Sequence, residues 1–235
     1  MTEPESRSER VGLADLGLGL MVIAAGSSDA LAYLALGNVF TSAMTGNTVL
    51  LCIALGQGRM VAALQSFAAL AAFIVGAVMA AALARRPEPR EYVPRLMPLF
   101  LLEIVFLAVF VVVWFATDRA SESARYALIV LSALAMGVQG VAARQINVPQ
   151  VNTIVFTTTI ISVVTACTQA LLRASGLPFA TKRQIGMLLV YAAGAVLMAV
   201  LIAHESGTYV WLPLIAVIGA FACYEVAHRA GRRSV

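Results

Sequence analysis

The chain has 235 residues, of which 61% are hydrophobic and 12% charged, and its mean hydropathy is +0.90. A water-soluble domain carries about a quarter charged residues and cannot bury this much apolar surface, so a soluble fold is excluded and a bilayer is the fitting solvent. The formal charge of +4 comes from fifteen Arg and one Lys gathered at the ends of apolar runs, which fits helix flanks at a membrane surface and argues against nucleic acid as a partner.

Residues 1–11 are polar, and the apolar run from Gly12 to Leu36 is too long for a signal-peptide core, so it reads as an uncleaved first span. Further apolar runs cover 40–56, 60–84, 96–117, 124–144, 151–173, 184–203 and 209–227. About 20 residues cross the hydrocarbon as a helix. The runs are solidly apolar rather than alternating, which predicts helices and not a β-barrel. RRPEPREYVPR at 85–95 is a polar linker whose prolines stop helices, and TDRASESAR at 117–125 is a short exposed loop. The expected fold is an all-α integral membrane protein, one membrane domain over 1–235.

The second half resembles a diverged copy of the first, with repeats over 12–117 and 121–228. Phe73-Ile-Val-Gly76-Ala77-Val78 matches Tyr191-Ala-Ala-Gly194-Ala195-Val196, and Leu96-Met-Pro98-Leu matches Leu212-Pro213-Leu. Thr45 falls opposite Thr157, and Gly26-Ser-Ser-Asp29-Ala30 falls opposite Gly137-Val-Gln139-Gly140-Val141. The offset stays between 111 and 118 residues, the mark of a two-fold internal repeat.

Topology turns on whether the Thr-rich segments cross. If both enter and leave on one side, there are six full spans, and the cations divide 13 inside to 3 outside; with eight spans the division is 11 to 5. The positive-inside rule favours six spans plus two broken or re-entrant segments, with both termini in the cytoplasm of a bacterial inner membrane. Eight spans is the alternative. With six, the two copies have opposite orientations, as in many secondary transporters.

Small residues at Ala68, Ala72, Gly76, Ala80 and Ala84, echoed at Ala195, Ala199 and Ala203, and Gly12, Gly19 and Gly26 at seven-residue spacing, suit close helix approach. Intramolecular packing is the first reading of these faces, and a homo-oligomer remains open. Cys52, Cys167 and Cys223 lie in apolar stretches without C-x-x-C spacing and read as packing residues; His204 and His228 are too scattered for a metal site.

The stretch Gly26-Ser-Ser-Asp29-Ala-Leu-Ala-Tyr33, continuing through Gly37 to Thr48, carries most of the polar chemistry. Asp29 lies inside an apolar run, where an unpaired charge costs at least a few kcal/mol, so it must pair, protonate or face water. Ser28 and Tyr33 are near enough to form a polar patch with it. Either Asp29 serves a substrate or ion, or it caps the start of a broken helix. In Thr45-Gly46-Asn47-Thr48, Gly46 permits unwound backbone while Asn47 and the threonines supply donors and acceptors. Thr157, Thr158 and Thr159 are their counterparts, and those hydroxyls can instead bond back to their own helix. Gln139 and Arg144 precede the second Thr segment; Arg144 can hold an anion or snorkel to the interface. Glu103 is a second intramembrane carboxyl, suited to relaying protons or pairing with a cation such as Arg144. Glu225 and Arg229 read as an interfacial pair, and Trp114, Tyr209 and Trp211 as an aromatic belt. No H-E-x-x-H, P-loop or G-x-S-x-G motif occurs, so no catalytic residue, metal or cofactor is expected.

Gly26, Asp29, Ala30, Leu36, Gly37, Val39, Phe40, Met44, Thr45, Gly46, Asn47, Val49 and Leu51 together resemble the YoaK-like family of uncharacterised bacterial membrane proteins. The M-T-G-N element carries the resemblance, which implies about six spans and brings no established substrate. Members often show a second Thr-Gly and an Asn where this chain has Thr158 and Gly140. The leading expectation is a small-solute transporter with a path lined by Asp29, Thr45, Asn47, Thr157 and Thr159; the competing one is a non-transporting assembly or interaction protein.

Overall fold

A computed structural model describes residues 3–84, 96–117, 121–146, 156–173, 176–204 and 207–232. The described residues form eight helices and no strand: α1 (Glu3–Ala35), α2 (Met44–Gly56), α3 (Met60–Ala84), α4 (Met97–Ala116), α5 (Glu122–Gln145), α6 (Phe156–Leu172), α7 (Phe179–Ala203) and α8 (Trp211–Arg232). The linker at 85–95 and Asn147 lie outside them.

Gly12–Ala35 of α1, α3, α4, α5 and α7 are each long and apolar enough to cross a membrane, and α8 carries a shorter apolar stretch, Trp211–Ala227. Large apolar side chains such as Val78, Val112, Leu189 and Ile215 are exposed around the outside, while alanines, Phe100, Leu128 and Met136 fill the centre. That inside-out distribution is what a bilayer solvent allows.

The side-chain contacts fix which way each helix runs. Asp15 pairs with Arg183 at the start of α1 and α7, and Gly26 meets Tyr191 and Ala195 further along, so these helices are parallel. Likewise, the Tyr126 hydroxyl at the start of α5 donates to the Val61 carbonyl at the start of α3, and Gly137 meets Phe73 and Ala77 further on. Helix α8 runs against α1, with Tyr224 on Gly17 and Leu20 on Gly219. It also runs against α4: Phe100 packs on Phe221 and Tyr224, and Trp114 on Tyr209. Helices α4 and α5, five residues apart in sequence, pack against each other as an antiparallel pair. Thus α1, α4 and α7 run one way and α3, α5 and α8 the other.

Helix α2 lies between α1 and α3, which run in opposite directions, so α2 cannot carry the chain across. Its 13 residues span only about 20 Å. The same reasoning applies to α6, which lies in sequence between the opposed helices α5 and α7. Among the described helices, six run from one side of the bundle to the other, and five of these are long and apolar enough to cross a membrane. We call the side where α1 begins the near side. Arg144, Arg183 and Arg229 belong to near-side helix ends, and Arg59 and Arg125 to the far side.

Two pairs cross at glycines. A Cβ built on Gly26 would lie 2.3 Å from the Tyr191 carbonyl oxygen, and one on Gly194 would lie 2.9 Å from that of Ile23. At the other crossing, a Cβ on Gly137 would lie 2.2 Å from the Phe73 oxygen and one on Gly76 2.2 Å from the Leu134 oxygen. Only hydrogen fits there, so the backbones touch. Of the seven-residue glycine series expected on α1, only Gly26 serves in this way; Gly12 and Gly19 have nothing within 4 Å of an added Cβ. Trp114 and Tyr209, expected at the lipid interface, are instead buried against each other at the far side, and of the three only Trp211 is exposed.

Candidate functional site

The polar residues of the first half build one compact structure, a loop that dips back into the bundle. Helix α1 ends at Ala35, Gly37 and Asn38 take positive φ of 120° and 61°, and the chain turns back beside the helix it has just left. At those angles a side chain with a Cβ is strained, which explains Gly followed by Asn. The Tyr33 and Phe40 rings stack at 5.3 Å across this turn. By Thr41 the backbone is level with Asp29, about 9 Å below the end of α1.

Irregular backbone at membrane depth needs partners for every peptide group, because lipid offers none. Asp29 and Asn47 supply them. Asp29 Oδ1 accepts the Thr41 and Ser42 backbone N–H groups, both at 2.7 Å, and a long contact from the Thr41 hydroxyl at 3.4 Å. Its Oδ2 accepts the Ser42 hydroxyl at 2.6 Å and the Tyr191 hydroxyl, from α7, at 2.6 Å. Asn47 accepts the Phe40 N–H at 2.8 Å and donates to the Phe40 carbonyl, as a neighbouring strand would. Asp29 is 3% exposed and Asn47 fully buried. No cation pairs with Asp29 among the described residues; two peptide dipoles and two hydroxyls meet its charge.

The candidate residues fall into distinct places around this clamp. Asp29, on α1, holds the loop just ahead of α2 through the Thr41 and Ser42 N–H groups and does not cap the helix itself, whose N-cap Ala43 has no side-chain cap. Tyr33 does not join the Asp29 patch but stacks on Phe40 and is 40% exposed; the phenol that reaches Asp29 is Tyr191. The break lies at 36–43, not in Thr45-Gly46-Asn47-Thr48, which is helical. The lack of a Cβ at Gly46 makes room for the Phe40 ring, 3.0 Å from where one would sit. Thr45 and Thr48 face outward, and the Thr48 hydroxyl donates to its own helix at Met44. Ser28 is buried, and its hydroxyl has no partner among the described residues.

In the second half, Gln139 is buried on α5 and donates 2.7 Å to the Met21 carbonyl of α1, tying the helices together. Arg144 is exposed at the near-side end of α5 and makes no pair with Glu103, in keeping with a snorkelling charge. Thr157 and Thr158 face outward at the start of α6, and Thr159 is buried. Glu225 and Arg229 do pair, at 3.3 Å.

Sequence reasoning missed Tyr191, the one phenol inside the apolar middle of α7, opposite Phe73 in the matched segment. It also missed Gln65, whose amide fills the space beside Gly37. A hydroxyl isolated in a small-residue span was the available signal. Tyr191→Phe is expected to destabilise the purified protein by about 1–2 kcal/mol, since it removes one hydrogen bond to a charged acceptor while the other donors stay. Detergent unfolding curves measure this, and an unchanged midpoint would show that the phenol adds nothing to the clamp.

Comparison with known proteins agrees that this is a membrane protein. The family described as "Protein of unknown function (DUF1275)" matches residues 17–223. The chain is 30% identical over 206 residues to the UPF0700 transmembrane protein YoaK of Bacillus subtilis (strain 168), covering 86% of this chain and 90% of that one. No solved structure matches.

Proposed function

We propose, on the premise that the chain belongs to the DUF1275 family of multi-pass membrane proteins, that it is a small-solute transporter of the bacterial inner membrane built from two inverted halves. The observation that carries this reading is the opposed direction of α1 and α5, each followed by a helix that does not cross. Inverted halves with interrupted, non-crossing segments are a recurrent design of secondary transporters.

Both glycine crossings support the duplication behind it. The Gly26 and Gly194 pair in α1 and α7 corresponds to the Gly137 and Gly76 pair in α5 and α3, and even the carbonyls they meet, at Ile23, Tyr191, Leu134 and Phe73, correspond under the same offsets. A helix crossing matched residue by residue is difficult to reach by chance between unrelated apolar runs. The near-side cations at the ends of α5, α7 and α8 support a cytoplasmic near side, with both termini there.

The packed state of Asp29 and Asn47 changes where a substrate path would run. Both are spent on loop backbone, so a path between the halves draws its polar groups from elsewhere, with Ser28 and Gln139 offering unpaired atoms within the bundle. The same dry clamp is what favours the second reading, a non-transporting assembly or interaction protein, in which these groups serve folding alone.

Reconstitution separates the two. Vesicles containing the full chain, screened with amino acids, sugars, nucleosides and organic anions, are expected to take up at least one class faster than protein-free vesicles. No uptake across the panel, together with a stoichiometric partner co-purified from the native membrane, would replace transport with the assembly reading.

A further inference from the structure

Glu103 is the polar group that the loop clamp leaves unexplained. It is fully buried, and both of its carboxyl oxygens lack a hydrogen-bond partner among the described residues. It sits on the buried stripe of α4, between Phe100 and Leu107, about 9 Å from the near-side end of the helix. Phe100, one turn nearer that end, packs on Phe221 and Tyr224 of α8. The contrast with Asp29 is direct: one carboxylate is met by four close donors, the other by none.

Among the described residues, the elements packed on α4 offer no charge to balance it. Helix α3 contains no titratable residue, and α5 has none between Tyr126 and Arg144. On α8, Tyr224 donates to the Ala14 carbonyl at 3.3 Å, Cys223 is half-buried, and Glu225 is paired with Arg229. Tyr209, also on that side, belongs to the far end. A bare carboxylate in such a place costs several kcal/mol or more, so the group exists with a proton or a cation attached. Metal cations need several oxygen ligands, and no group of three His, Cys, Asp or Glu gathers among the described residues. One proton needs only one oxygen.

We propose that Glu103 is a proton-binding site within the membrane, taking up H+ to form a neutral carboxylic acid in the closed bundle and releasing it when the bundle opens to water. One O–H bond forms and the same bond breaks, with the proton drawn from water on one side and returned to water. On the transporter reading, from which the coupling role is drawn, this is the step that ties solute movement to a proton gradient. The proton-binding itself does not need a solute.

Infrared spectroscopy of the full chain in phospholipid vesicles tests it. A carbonyl stretch of an un-ionised carboxyl without hydrogen bonds is expected in the wild type, lost in Glu103→Gln and shifted in Glu103→Asp. The band is expected to move to lower frequency in D2O and to disappear reversibly in alkaline buffer. Absence of the band overturns the proposal. So does a band that resists both D2O and alkali until the protein unfolds, because a locked proton is structural. If Glu103→Gln does not fold, the D2O shift and the alkaline loss in the wild type decide alone. A reversible band with no uptake of any solute would sustain the proton site and remove transport. Uptake without the band would do the reverse.

Discussion

Asp29→Ala is expected to destabilise the protein by about 3–5 kcal/mol, among the largest effects of any single substitution. The variant leaves the Thr41 and Ser42 N–H groups without acceptors in a place that water does not reach. Each stranded donor costs about 1–3 kcal/mol, and the Ser42 and Tyr191 hydroxyls lose their acceptor as well. Asp29→Asn is expected to cost less, about 1–2 kcal/mol. Its oxygen can still serve the two peptide groups, and the two hydroxyls can turn to accept from its amide. Unfolding midpoints in detergent, with proteolysis at 36–43 as a local readout, check this ordering. If both variants were as stable as the wild type, the clamp would carry no weight in the fold. A fully stable Asp29→Asn that abolished uptake would return the charge to the mechanism.

The second large effect belongs to the glycine crossings. Gly137→Ala places a methyl group 2.2 Å from a carbonyl oxygen of α3, so the two helices must separate and give up contact along the whole crossing. Overpacking of this kind costs about 1–3 kcal/mol, and the rigidity of two backbones puts this case at the upper end. Gly76→Ala makes the same demand on the same pair. Once the helices have parted for one methyl group, the second meets less resistance, so the double variant is expected to cost less than the sum of the two. Combining Gly137→Ala with Gly26→Ala should instead be additive, because these glycines belong to different helix pairs. Six unfolding curves, for the wild type, the three single and the two double variants, decide it, and strict additivity within one crossing would mean that the helices do not move as rigid rods.

How far these features could be read beforehand depended on range along the chain. Membrane character, most helix bounds to within about five residues and the shortness of 40–56 follow from hydropathy, length and charge, which are properties of short segments; α1 is the exception, starting at Glu3 in the polar lead rather than at Gly12. The crossings were foreshadowed by matched small residues, but the sequence paired Gly26 with Gly137 as copies and could not say that each meets a different helix. The site was legible as a set of residue types and not as an arrangement. Asp29 and Asn47 stood out as polar groups in apolar surroundings, yet their partners are peptide groups, which every residue possesses and no pattern marks. Spacing points to Tyr33, four residues from Asp29, and gives no sign of Tyr191, which lies 162 residues away. Gly46 was read as a break because Gly often is one, whereas here it leaves room for a ring.

The bond between Asp29 and Tyr191 also sets an order of events in biogenesis. Asp29 emerges from the ribosome early, and Thr41 and Ser42 follow within 13 residues, so the loop can gather around the carboxylate as soon as α1 is placed. The last donor arrives 162 residues later, after five more helices have been made. Until α7 docks beside α1 at Gly26, one oxygen of a buried carboxylate keeps only the Ser42 hydroxyl, and the first hairpin sits in the membrane incompletely closed. The finished bundle is therefore latched by its seventh helix, and a nascent chain that stops short of it presents quality-control proteases with an unsealed polar seam.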